Sequence, residues 1–284
     1  MTAGRHVIGT SARPDLPLAV VIGAGGLGMA AARRLAWDYR VLIADINGEG
    51  AAEKAARLRE EGCDAAAIAC DVTAPADVAA LATAVAARGG MGALAVVAGL
   101  SPSLGDFATI MRVNLMGAAM VCEALLPHAL PGAAAVLIAS LAAHSLMPSA
   151  EAQAVLRDAA APDLAERLAG VLGEQAVPAM AYVHSKFGLR MHARARAPEW
   201  GAKGCRILTL SPGLIATPQG ALEFENSPGK RAMYEKTPLA RECTMLEIAE
   251  VLAFLLSPRA AFISGTDILV DGGLDAALKD GATV

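Results

Sequence analysis

Two side chains one helical turn apart carry the strongest chemical signal in this chain. They are Tyr182 and Lys186, in the run Tyr182-Val183-His184-Ser185-Lys186. At i, i+4 on a helix they share one face. An ammonium beside a phenol stabilises the phenolate and lowers the tyrosine pKa from its ordinary value of about 10. Tyrosine then serves as general acid or base nearer neutrality. Ser140 ends an apolar run, Ala133 to Ala139, where its hydroxyl could hold a substrate oxygen. Asn114 is polar within the apolar stretch Val113-Asn114-Leu115-Met116 and could hold a water that relays a proton to Lys186. Each residue alone has a plain alternative: a packed helix face, a turn serine, a capping amide. His184, on the far side of that helix from Tyr182, reads as a surface or packing residue. Their order behind a nucleotide-type loop makes the four a candidate catalytic set.

That loop is Gly23-Ala24-Gly25-Gly26-Leu27-Gly28, a match to G-x-G-x-x-G at Gly23, Gly25 and Gly28. Glycines allow a tight turn and let the backbone approach a pyrophosphate, and a following helix offers free N–H groups and its positive dipole end. Asp45 stands 17 residues beyond Gly28, where a carboxylate would bind a ribose 2′-hydroxyl and repel a 2′-phosphate. No Lys or Arg lies within Gly23 to Gly28, so the expected cofactor is NAD (NADH) rather than NADP. Asp71 and Val72 could sit near an adenine, or Asp71 could simply belong to a helix N-cap region. Ala98 and Gly99 would let the backbone pass close to the cofactor.

These residues need a frame, and the apolar pattern supplies one. Short apolar runs predict strands at Leu18–Ile22, Val41–Ala44, Ala65–Ala69, Leu94–Ala98, Ala134–Ala139, Arg206–Leu210 and Asp267–Asp271. Helical patterns alternate with them at Leu27–Trp37, Gly50–Glu61, Pro75–Arg88, Phe107–Leu126, Ala181–Glu199 and Met245–Leu256. Continuous apolar strands alternating with helices mean a parallel sheet covered on both faces, hence an α/β, doubly wound Rossmann fold. The expected organisation is a flexible N-terminal arm over 1–17 and a single catalytic domain over 18–284.

Bulk properties narrow the class. The 284 residues are 55% hydrophobic and only 4% aromatic, so the core must be mostly Ala, Val, Leu and Ile. A net charge of −4 gives no basic face for nucleic acid. Five cysteines without a C-x-x-C pair indicate neither a disulfide framework nor a zinc site, and no metal is expected. The first residues lack the apolar core of a signal peptide, and no purely apolar run is long enough to span a bilayer. A soluble cytoplasmic protein without a membrane partner is the expectation.

Taken together, Gly23–Gly28, Asp71, Asn114, Ser140, Tyr182-x-x-x-Lys186, Ser211-Pro212-Gly213, Thr217 and Gly265…Asp271-Gly272-Gly273 resemble the short-chain dehydrogenase/reductase family from about residue 18 to 275. The resemblance implies a catalytic tetrad of Asn114, Ser140, Tyr182 and Lys186. It also implies that Pro212, Gly213 and Thr217 border the nicotinamide and that Ile215 bonds its carboxamide. Three features depart from the family pattern. The glycine loop is one residue shorter than G-x-x-x-G-x-G. Val96-Val97-Ala98-Gly99 replaces the usual N-N-A-G. Ser140 and Tyr182 are 42 residues apart, leaving room for an insertion at about 144–179 with helices at Ala150–Arg157 and Asp163–Leu172.

The insertion is similar to that of bacterial 3α-hydroxysteroid dehydrogenase/carbonyl reductases. The resemblance implies a homo-oligomer, a dimer rather than a tetramer. The segment Thr217–Thr237, with Gly220, Pro228 and Gly229, suits a substrate lid. Its Leu222, Phe224, Met233 and Tyr234, with Leu146 and Met147 of the insertion, suggest a small apolar carbonyl or alcohol substrate such as a steroid or cyclic ketone. They could equally pack the lid onto the core. The expected activity is interconversion of a secondary alcohol and a ketone with Tyr182 as acid/base. A silent NAD(H)-sensing protein and a 3-oxoacyl thioester reductase are the competing readings; the intact Ser140, Tyr182 and Lys186 oppose the first and Asp45 the second.

Overall fold

A computed structural model describes residues 15–217 and 228–280. Residues 218–227, which include Gly220, Leu222 and Phe224 of the expected lid, lie outside the described residues, as do the chain ends.

Seven parallel strands form the central sheet: β1 (Leu18–Ile22), β2 (Arg40–Asp45), β3 (Ala65–Ala69), β4 (Met91–Val96), β5 (Ala129–Ile138), β6 (Arg206–Pro212) and β9 (Asp267–Val270). Their spatial order is β3-β2-β1-β4-β5-β6-β9. A short parallel pair, β7 (Ile215–Ala216) and β8 (Cys243–Thr244), sits beside it. The order reverses between β1 and β4, and at such a switch point a doubly wound sheet opens its ligand crevice.

The central strands are buried on both faces, which is why they are mostly apolar. Leu18, Val20 and Ile22 pack on one face with Leu115, Leu125 and Leu189; Ala19 and Val21 pack on the other with Leu35, Leu58 and Leu252. Each fully buried Leu, Ile or Val stabilises the fold by about 1.5–3 kcal/mol. The helices over one face include α1 (Gly26–Leu35), α2 (Gly48–Glu60) and α10 (Met245–Leu256). Those over the other include α3 (Pro75–Ala86), α5 (Ala118–Leu125) and α8 (Pro178–Ala202).

Three differences from the sequence expectation have a clear backbone origin. The fourth strand spans Met91–Val96 rather than Leu94–Ala98, because Val97 and Ala98 peel off the sheet and both donate their N–H to Ile22 O, at 2.9 and 2.8 Å. The fifth strand starts five residues early, at Ala129, and its exposed first half passes Pro131 and Gly132 before entering the core. The long helix expected over Phe107–Leu126 is broken into α4 (Phe107–Met111), a π-helical turn over Arg112–Gly117 and α5. The stretch Phe107–His128 is long and apolar enough to cross a membrane by length and composition, and 61% of its most apolar window is buried inside the protein, as in a core helix.

The insertion folds as α6 (Ala150–Leu156) and α7 (Leu164–Leu172), close to the expected bounds. Ser149 caps α6 by accepting from Ala152 N, and Leu156, Leu164 and Leu168 are fully buried. Two further helices complete the described chain: α9 (Pro228–Glu235) and α11 (Leu274–Asp280).

Candidate active site

The glycine loop joins β1 to α1, and its three motif glycines have different jobs. Gly23 has φ +97°, and a Cβ there would lie 2.7 Å from Ala98 N. A Cβ on Gly28 would lie 1.9 Å from Gly23 O, so only glycine lets α1 begin this close to the turn. A Cβ on Gly25 would meet nothing within 4 Å. Packing does not demand glycine there, and the open space is what an approaching phosphate needs. Gly26 and Leu27 open α1, whose first turn carries no acidic residue, and Met245 Sδ covers Gly26. The free N–H groups and dipole of this helix start fit a dinucleotide pyrophosphate.

Asp45 ends β2 beside this loop. Its Oδ2 accepts from Ala24 N at 2.6 Å and its Oδ1 from Asn47 N at 2.8 Å. From α2, Lys54 Nζ donates to Ala24 O at 2.7 Å. A carboxylate and an ammonium thus grip successive peptides on either side of Ala24, bracing the shortened loop. Sequence reading missed Lys54, although its place two turns into α2 puts it on the loop-facing side. Asp71 is tied locally: its Oδ1 accepts from Thr73 N and Oγ1 in the turn ahead of α3, whose N-cap position is Ala74. Val72 is buried against Gly117, where a Cβ would lie 2.7 Å from its Cγ2.

The candidate catalytic set converges from three elements. Tyr182 and Lys186 lie on α8, with the ammonium 5.7 Å from the phenol ring centre. Lys186 is buried, and Nζ donates to Ile138 O at 2.8 Å, just ahead of Ser140. Burial pushes its pKa down to about 8. Ser140 caps a 3-10 turn over Leu141–His144 and accepts from Ala142 N at 3.2 Å. Asn114 is buried in the π-helical turn; its Oδ1 accepts from Leu100 N at 2.7 Å and its Nδ2 donates to Leu100 O at 2.9 Å. The extra residue of a π turn re-aims one side chain, a device common at functional sites. Gly99 runs between the two: a Cβ there would lie 3.3 Å from Lys186 Nζ and 3.4 Å from Asn114 Oδ1. Gly99 is therefore small because Lys186 and Asn114 approach it, whereas Ala98 is crowded by the Gly23 turn.

Tyr182, Lys186, Ser140, Gly99, Pro212, Gly213, Ile215 and Thr217 all line one cleft of about 960 Å³ at the C-terminal ends of the strands. Asn114 stands behind it. Gly213 fits tightly, since a Cβ would lie 2.7 Å from Asp271 Cα. Met233 from α9 borders the cleft, whereas Leu146 and Met147 do not, and Met147 is 72% exposed. His144 and Ser145 line it instead. His184 is buried and bonds Met180 O through Nδ1 at 2.8 Å, a packing role.

Comparisons with known proteins find one family along most of the chain. Residues 17–154 match the model described as short chain dehydrogenase, and residues 167–275 match enoyl-(acyl carrier protein) reductase. The chain is 34% identical over 185 residues to a 3-alpha-hydroxysteroid dehydrogenase/carbonyl reductase of Comamonas testosteroni, covering 64% of this chain and 71% of that protein. It is 32% identical to the short-chain dehydrogenase/reductase bsc3 of Alternaria brassicicola, covering 92% and 96%. It is also 32% identical to a D-threitol dehydrogenase of Mycolicibacterium smegmatis, covering 92% and 94%. Among solved structures, a putative short-chain alcohol dehydrogenase from Sinorhizobium meliloti superposes with a TM-score of 0.74 at 29% identity, covering 92% of this chain and 96% of that one. A variant actinorhodin polyketide ketoreductase with NADPH superposes at 0.73 and 25% identity, covering 92% and 98%.

Proposed function

This chain belongs to the short-chain dehydrogenase/reductase family, and on that premise we propose that it interconverts a secondary alcohol and a ketone with NAD(H), using Tyr182 as the acid/base. Membership makes it an oxidoreductase of a family that binds a nicotinamide cofactor. The observation that carries the finer reading is the shared cleft, in which Tyr182, Lys186 and Ser140 meet at the open end of the glycine-loop side of the sheet. A protein that only sensed NAD(H) would have no need of that trio.

The bound nicotinamide supplies or accepts the hydride. In reduction, Ser140 Oγ–H donates to the substrate carbonyl oxygen and holds it against Tyr182. The Tyr182 hydroxyl gives that oxygen its proton; in oxidation the phenolate takes the proton back. Lys186 keeps a positive charge beside the phenol and favours its ionised form. Asn114 holds the Leu100 peptide next to Lys186 and places the relay that refills the proton. The apolar side chains of Leu100, Leu141, Leu214 and Met233 favour a compact hydrophobic carbonyl compound, such as a cyclic ketone or steroid.

NAD is preferred to NADP because the Asp45 carboxylate occupies the end of β2 beside the loop and opposes a 2′-phosphate. Tyr182→Phe should lower kcat at least ~10³-fold with NADH binding retained, measured by NADH absorbance on a panel of ketones. Full turnover by that variant would remove the proton role. Fluorescence titration should give a lower Kd for NAD than for NADP, and the reverse order would overturn the assignment to Asp45.

A further inference from the structure

One polar network in the cleft wall is not used by the chemistry above. His144 lines the cleft four residues past Ser140, at the end of the 3-10 turn that Ser140 caps. Its Nε2 lies 2.8 Å from Asp267 Oδ2 on β9, and both side chains are nearly buried, at 13% and 8% exposure. The other oxygen, Asp267 Oδ1, accepts from Ser211 Oγ at 2.8 Å and from Thr209 Oγ1 at 2.5 Å, both on β6. Arg190 comes from α8, on the same stripe as Tyr182 and Lys186. Its Nη1 donates to Ala143 O at 2.7 Å, and its Nε stands 3.6 Å from Asp267 Oδ2.

Four elements therefore fix one imidazole. A turn that only needed to be held down is already held by the Arg190 bond to Ala143. Burying a carboxylate costs free energy unless its oxygens are fully engaged, and here each oxygen is. An ionised carboxylate only accepts, so Nε2 is the protonated nitrogen and the tautomer is set. In the neutral ring Nδ1 is then an acceptor, and in the imidazolium it is a donor. Among the described residues no hydrogen bond engages His144 Nδ1.

We infer that His144, oriented by Asp267, is a specificity-determining residue that binds a hydroxyl on the substrate at a distance from the reacting carbonyl. A hydroxyl both donates and accepts, so it satisfies Nδ1 in either charge state. At about 2 Å of rise per residue, the turn carries His144 roughly 8 Å along the wall from Ser140. The favoured substrates are hydroxyketones and diols whose second oxygen lies several bonds from the reacting carbon. This rests on the alcohol–ketone reading above.

The test uses two matched ketone pairs followed by NADH absorbance: 4-hydroxycyclohexanone against cyclohexanone, and a hydroxylated 2-decalone against 2-decalone. Wild type should favour the hydroxylated member by at least ~10-fold in kcat/KM within one pair, because a site built for a hydroxyl penalises its absence. His144→Phe should bring that ratio to about one. His144→Gln, whose amide also donates and accepts, should restore part of it, and Asp267→Asn should lower it by loosening the ring. NADH binding by each variant reports folding. Absence of a hydroxyl preference in wild type would overturn the inference without reference to any variant, as would a ratio unchanged in His144→Phe. If wild type turns over no ketone in either pair while binding NADH, the alcohol–ketone reading fails instead.

Discussion

Lys186 shows at the level of a single residue that function and stability pull in opposite directions. Its ammonium is buried, bonded to one carbonyl, and held at a pKa of about 8 against an ordinary 10.5, with burial as the cause. The unfolded chain binds the proton more tightly, so the stability of the protein rises as pH climbs from 8 to 10.5. Below pH 8 the full penalty applies. Lys186→Met should accordingly raise apo-protein stability at pH 7 by about 1–2 kcal/mol after allowing for the bare Ile138 carbonyl. The gain should shrink as pH approaches 10.5, while activity falls by orders of magnitude. Thermal melts across this pH range would show it, and a lower Tm for the variant at pH 7 would contradict it. Tyr182, Lys186 and Asp45 were legible in the sequence because their signals are local: a helical spacing, and a fixed distance from a glycine loop. Asp267 was not, since it meets His144 across 123 residues and nothing near either residue announces the pair.

At the level of elements, the loop between β1 and α1 makes a sharp distinction among its glycines. Gly26→Ala should cost little, because its Cβ meets only the flexible end of Met245 at 2.7 Å. Gly28→Ala should abolish NADH binding, because its Cβ meets the Gly23 carbonyl at 1.9 Å and that oxygen belongs to the backbone. Titration of NADH into both variants checks this; comparable losses in the two would show that the loop adjusts as a unit. Strand and helix placement was largely readable, since buried strands flanked by amphipathic helices repeat a simple pattern. The π-helical turn at Arg112–Gly117 was not, because one added residue leaves the apolar periodicity nearly intact. It is fixed instead by Val72 pressed on Gly117 and by the Leu100 peptide paired to Asn114. Boundaries of β4 and β5 were set by backbone departures that composition does not encode.

At the level of the whole molecule, the insertion and a few exposed apolar side chains bear on assembly. α6 and α7 bury their leucines inward, and α7 packs beside α4 while α6 packs beside α8, covering that flank. Elsewhere, Leu246 and Phe254 on α10 are 63% and 38% exposed, and Phe262, ahead of β9 in the chain, is fully exposed. We propose that these exposed apolar groups contribute to an interface between two copies of the chain. A homodimer through these residues is the expected state by sedimentation. Replacing Leu246 and Phe262 together by Glu should give monomers. Excising residues 150–172 should allow a larger assembly. A monomeric wild type would end this proposal. Subunit number was out of reach of composition, since single exposed apolar residues do not differ from core residues in a sequence.

The brace around Ala24 has a consequence for how such a protein could change its redox currency. The carboxylate that would discriminate against a phosphorylated ribose is also the acceptor for the Ala24 and Asn47 amides. Exchanging Asp45 for an apolar or basic residue would remove the acceptor of both amides and leave Lys54 as the remaining side-chain brace on the loop. A change of side chain at this position would therefore alter how the turn is held as well as what the carboxylate faces.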